Sequence, residues 1–213
     1  MQAYLGLPNL LDLTEGNPRW VLNLADALLI RAKEAGQPAW SQGVQSQAIV
    51  SFVNQFVAKL RVYPVGSGAS RYSPYDFVAV LGKGIADSLY GGPFNPEPRM
   101  SFAVDELALQ QYGSFIRTCI DLGALVIARR DEAPAPLISG NPSHGLLDVR
   151  VRLSYRLAPH FRIPLRFTKE QKLSAALKGG DLLGAQHVAA MVSARDDEVG
   201  EDSTNQGIQQ RLL

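Results

Sequence analysis

The chain has 213 residues, of which 46% are hydrophobic and 19% charged, and its formal net charge is +1. It is long enough to bury a core, and its near-neutral balance excludes a globally basic nucleic-acid binder while leaving local patches open. The single cysteine, Cys119, excludes an intramolecular disulfide.

Cys119 sits among Phe115, Ile116, Ile120 and Leu122, which predicts a buried, inert thiol. The histidines His144, His160 and His187 lie too far apart for a local zinc motif. The N-terminus lacks a signal-peptide pattern and no apolar run is long enough for a bilayer span, so a cytoplasmic protein without membrane contact is expected.

The first strong helix begins at Asn17-Pro18-Arg19-Trp20. Asn17 suits an N-cap and Pro18 the first helical position. Val21, Leu22, Leu24, Ala25, Leu28 and Leu29 supply an apolar face, and Gly36 and Pro38 end the helix. A second helix is predicted from about Ser46 to Val62, because Ile49, Phe52, Val53, Phe56, Val57 and Leu60 fall at three-and-four spacing. A weaker one runs from Pro74 to Leu89. Residues 91–99 carry three prolines and read as a linker between segments 1–90 and 100–178.

Beyond the linker, a helix is expected over Asp105–Leu122 and a short strand over Ala124–Ala128, then a Pro/Gly-rich loop over 131–146. Val149, Val151, Leu153, Tyr155 and Leu157 alternate with Arg150, Arg152, Ser154 and Arg156, which predicts a half-buried strand with one basic face. Phe161–Arg166 reads as an edge strand or extended arm, and a short helix from Thr168 to Leu177 follows. Residues 179–213 are expected to hold a weak helix over Leu182–Val192 and a disordered tail. The fold class expected is mainly α with a short antiparallel sheet.

Two groups of residues carry chemistry. Arg19 falls in the first turn of a helix, where the dipole disfavours a cation. A phosphate there would meet backbone amides and the guanidinium together; an ordinary solvated arginine after a cap is the alternative. The second group is basic: Arg150, Arg152 and Arg156 on the expected strand face, then Arg162, Arg166, Lys169 and Lys172. These suit nucleic-acid phosphates, or equally a solvated or protein-docking surface. Ser139 and Ser143 lie close to His144 but form no nucleophile elbow.

The stretch Thr14-Glu15-Gly16-Asn17-Pro18-Arg19-Trp20, followed by a leucine-rich helix, resembles the sensor-2 helix in the lid of AAA+ ATPases, most of all the origin-recognition and Cdc6-like branch. The segment Leu153–Pro159 with Ile163-Pro164-Leu165-Arg166 resembles the terminal hairpin of a winged-helix domain in bacterial proteins of that type. The resemblance implies a lid-like helical bundle to about residue 90, then a winged-helix-like α+β domain over 100–178. It implies Arg19, presented by Asn17, as a sensor of nucleotide phosphate. It implies the basic set as a DNA contact, in replication or in defence against mobile elements.

The departure is large. No P-loop is present: Gly82-Lys83-Gly84 has neither the leading glycine nor the Ser or Thr that follows the lysine. Phe102-Ala103-Val104-Asp105-Glu106 imitates a magnesium-binding strand end but follows the lid motif, and its acids also suit a helix start. The chain is therefore expected to have no enzymatic activity or cofactor by itself. ATP and Mg enter only with an ATPase core, joined or separate, through which it could also oligomerise. The other readings are a non-enzymatic protein-interaction module and a stand-alone winged-helix DNA-binding regulator.

Overall fold

The computed structural model describes residues 4–65, 72–92, 99–128, 144–166 and 169–178. All of them belong to one packed unit, Met1–Gly180. The expected helix over 182–192, the tail and most of the 91–99 linker lie outside the described residues.

Helix α1 covers Leu7–Asp12, α2 Pro18–Ala35, α3 Gln42–Val62 and α4 Pro74–Tyr90. Local chemistry sets their ends. Asn17 caps α2 and Gly36, at φ 60°, closes it in the left-handed conformation. Ser41 caps α3, which starts earlier than its apolar periodicity suggests because Gln42 and Gly43 form a polar first turn. Ser73 and Asp76 form a capping box on α4.

Helix α3 is the centre of the helical part. Its Ile49, Phe52, Phe56 and Leu60 are buried, and α2 lies along it. Truncating a fully buried aromatic such as Phe52 costs about 3–5 kcal/mol by lost transfer energy and cavity formation. Helix α2 contributes only Leu24 to the fully buried set.

After α4 come β1 (Ser101–Ala103), α5 (Glu106–Asp121), β2 (Leu125–Ile127), β3 (Arg150–Leu153), α6 (Ala158–Phe161), β4 (Glu170–Lys172) and α7 (Leu173–Lys178). Helix α5 kinks at Tyr112. The sheet order is β2-β3-β1-β4. Strand β3 runs antiparallel to both β1 and β2, with Phe102 opposite Val151 and Leu125 opposite Leu153. Their apolar side chains face the core, so Phe102, Leu125, Val151 and Leu153 are buried.

The structure is mainly helical with one small sheet, as expected, but the sheet is mixed, because β4 lies parallel to β1. Other expectations are corrected. The predicted strand over 149–157 stops at Leu153, where the Ser154 hydroxyl caps the amide of Arg156 and turns the chain into a 3-10 helix over Tyr155–Leu157. Phe161 ends a short helix rather than starting an edge strand, and Arg162 closes that helix at φ 59°. The hairpin expected between 153–159 and 163–166 is therefore not formed. Residues 170–172, expected in a helix, are strand β4, so only the last part of that helix exists as α7.

Gly82 sits in α4 as part of the packing. A Cβ there would come 2.4 Å from the ring of Phe161, so its absence lets α6 lie against α4. Cys119 is fully buried and burial pushes its thiol pKa up, which agrees with an inert side chain. Asp105 precedes α5, and its carboxylate accepts from the amide and hydroxyl of Ser174. Burial opposes ionisation of Asp105, yet the bonds from Ser174 prevail and hold its carboxyl below the usual range. That is a structural role, fastening α7 to the start of α5.

Candidate functional site

The turn over Leu13–Asn17 joins α1 to α2, whose first turn carries Arg19 and Trp20. Leu13 and Thr14 are buried, and the Thr14 hydroxyl donates to the carbonyl of Leu11 at 2.6 Å. Two consecutive residues then take the left-handed conformation: Glu15 at φ 51° and Gly16 at φ 67°. The amide of Asn17 donates back to the carbonyl of Thr14 at 2.8 Å. Asn17 Oδ1 accepts from the amides of Arg19 (3.0 Å) and Trp20 (3.4 Å). Arg19 is exposed on the first turn of α2, and no ion pair holds its guanidinium among the described residues.

This geometry refines the phosphate expectation. The amides at 19 and 20 are already taken by Asn17, and Pro18 has no N–H. Asn17 is thus the cap that orders the turn, and the guanidinium of Arg19 is the group left to meet an anion. Its five donors suit two phosphate oxygens at once.

The turn is held by the end of β3 and the residues just after it. Arg152 donates to Glu15 through Nη1 at 2.8 Å and Nη2 at 2.6 Å. The same carboxylate accepts from the amide of Tyr155. Both side chains are mostly buried, at 15% exposure for Arg152 and 11% for Glu15, and the guanidinium stacks 3.8 Å over the Tyr155 ring. On the other side of Arg19, Trp20 packs 5.8 Å from Phe56. Gly123, at φ 72°, approaches the Trp20 ring so closely that a Cβ there would come within 2.7 Å.

Arg156 leaves the predicted basic face altogether. It is 4% exposed, with its guanidinium 3.9 Å over Phe52, 4.4 Å over Phe56 and 5.0 Å from Trp20. Nη2 donates to the carbonyl of Phe52 at 3.3 Å, while Nε has no hydrogen-bond partner. Burial pulls its pKa down to about 10, so the group is still charged at neutral pH. The cause of the correction is the turn at Ser154, which rotates Arg156 away from the register of Arg150 and Arg152.

Arg150 remains on the sheet. Its Nε and Nη2 donate to the hydroxyl of Ser101 at 2.9 and 2.7 Å, and Glu170 lies 3.4 Å away across β1. Arg162, Arg166, Lys169 and Lys172 are exposed. Lys169 and Lys172 flank and end β4, the strand at one edge of the sheet. The seven basic positions therefore divide. Arg152 and Arg156 turn inward to the Arg19-bearing turn, Arg150 pairs within the sheet, and the other four face solvent.

Glu15, Trp20 and Tyr155 were not singled out as site residues from the sequence. Nothing near Glu15 points to a partner 137 positions away.

The model of the ORC-CDC6-like family matches residues 2–173, which covers the turn, helices α1 to α6 and the whole sheet. The chain belongs to the ORC-CDC6-like family. Among curated proteins and among solved structures, nothing matches significantly. Family membership agrees with the expected Cdc6-like relation, and it makes this chain a Cdc6-like, AAA+ ATPase-related part. No helix of the described residues is long and apolar enough to cross a membrane.

Proposed function

We propose that this ORC-CDC6-like chain is the lid and DNA-contacting part of a bacterial, cytoplasmic AAA+ ATPase. Arg19 reads the phosphates of ATP and Mg bound on an ATPase core, and an exposed basic edge meets DNA. The observation that carries this reading is Arg19 itself. It is exposed at the start of α2, behind an ordered cap, with no ion pair among the described residues.

The surroundings of Arg19 support a protein-borne nucleotide rather than one in solution. Arg19, Leu22, Asp26, Leu29 and Ile30 follow at helical spacing and share one face of α2. Leu22, Leu29 and Ile30 are 66%, 63% and 56% exposed. Apolar side chains beside a solitary arginine suit a core domain that covers the face and presents phosphate at its end. The chain would contribute a single arginine, and the P-loop and magnesium ligands would come from that core.

DNA contact rests on Arg162, Arg166, Lys169 and Lys172. Lys169 and Lys172 flank and end the edge strand β4, Arg162 closes α6, and all four are exposed cationic side chains that suit phosphates more than base edges. Anisotropy of a labelled duplex at rising salt tests this part. The expected log–log slope is about −0.9 for each phosphate neutralised. A flat salt response would leave a protein-docking module as the reading of that surface. Hydrolysis of ATP by the core joined to this chain tests the first part. Arg19→Ala should slow it by about 10-fold or more, as loss of a charge on the transferred phosphate does.

A further inference from the structure

We propose that Glu15 is the positioning residue for Arg19, acting through Arg152, so that the segment Arg152–Arg156 sets where the lid arginine stands. The functional meaning rests on Arg19 reading phosphate; the geometry stands by itself.

The backbone supplies the first argument. Glu15 occupies the left-handed region at φ 51°, which a side chain with a Cβ adopts only at a cost. Glycine at 15 would remove that cost, but it would also remove the carboxylate. The carboxylate receives both Nη groups of Arg152 and the amide of Tyr155. Three donors on one largely buried acid offset the backbone strain and fix the turn in a single arrangement.

The second argument is the bracket around Arg19. Glu15 lies four residues before it and Trp20 immediately after it. Both are held by the same short stretch, Glu15 by Arg152 and Tyr155, and Trp20 by the guanidinium of Arg156. Between these anchors the chain has little freedom, since Asn17 closes the turn through its own amide and side chain. A ligand that moves the end of β3 must therefore move Arg19, which couples the sheet to the lid arginine.

Hydrogen exchange of the full chain tests the clamp without any nucleotide. Glu15→Ala should raise exchange of the hydrogen-bonded amides of Asn17, Arg19, Trp20 and Val21 about 10-fold beyond the change at Phe56, Val57 and Leu60, whose amides report global unfolding. Arg152→Ala should do the same, and the double variant should add little to either. A uniform rise across both sets, or none at those four amides, overturns the proposal. Glu15→Gln, which keeps shape but loses charge, guards against a misfolded alanine variant and should give an intermediate rise. In the chain joined to its ATPase core, Glu15→Ala should weaken the ATP response in an otherwise native background and cost nothing further beside Arg19→Ala; an equal loss in both backgrounds overturns the positioning role. If Arg19→Ala leaves the ATP response intact while the local exchange result holds, the nucleotide reading fails and the clamp survives.

Discussion

The guanidinium of Arg156 lies over Phe52, 3.9 Å from the ring centre, in the core beside Trp20. A guanidinium there loses hydration and recovers part of it through three aromatic faces and one carbonyl. Its Nε stays without a partner.

From that balance, Arg156→Met should be near neutral or stabilising. An apolar chain of similar length keeps the packing and removes the desolvated charge. Arg156→Ala should instead lose about 2–4 kcal/mol, because it leaves a cavity between rings. Urea unfolding of both variants measures this, and equal losses would contradict it.

Gly123→Ala should destabilise by about 2 kcal/mol or more. The residue sits at φ 72° and its Cβ would fall 2.7 Å from the Trp20 ring. Thermal unfolding reports the loss, and Trp20 fluorescence in a Trp40→Phe background shows whether the indole moves.

His160 makes stability depend on pH. Burial first, and then the charge of Arg61, lower its pKa below the usual 6.5, and its Nε2 lies 3.0 Å from the Tyr75 hydroxyl. The folded state thus binds the proton more weakly than the unfolded one. The stability contributed is present above the unfolded pKa and is lost as pH falls from about 6.5 through the lower folded value. His160→Gln should flatten the dependence as pH falls below about 6.5; an unchanged slope would contradict the assignment.

For DNA, replacing Arg162, Arg166, Lys169 and Lys172 by Glu should lower duplex affinity by at least about 10-fold and reduce the salt slope. Arg156→Met should leave affinity unchanged, because that side chain does not reach the surface. The opposite ranking would return Arg156 to the contact set.

The helices were legible where their ends carry local chemistry. Asn17-Pro18 and Gly36 mark α2, and Ser73-Pro74 marks α4, because caps act within a few residues. The three-residue strands β1 and β4 leave too short a pattern to read, and their pairing is set by distant partners. The alternation from Val149 to Leu157 misled past Leu153. Apolar-polar counting treats arginine as a surface residue, whereas the aromatic rings of Trp20, Phe52 and Phe56 accept the guanidinium of Arg156 inside. Of the site, Asn17 and Arg19 were visible as a cap and a cation where the dipole disfavours one. Glu15 was not, since its meaning lies in a residue far along the chain.

The most direct measurement is the ratio of ATP to ADP affinity of the ATPase core joined to this chain, compared between Arg19 and Arg19→Ala. The account predicts that the native chain favours ATP and that the variant loses most of that preference, about 10-fold or more, while ADP binding changes little. An unchanged ratio would contradict the assignment of Arg19 as the phosphate-reading residue.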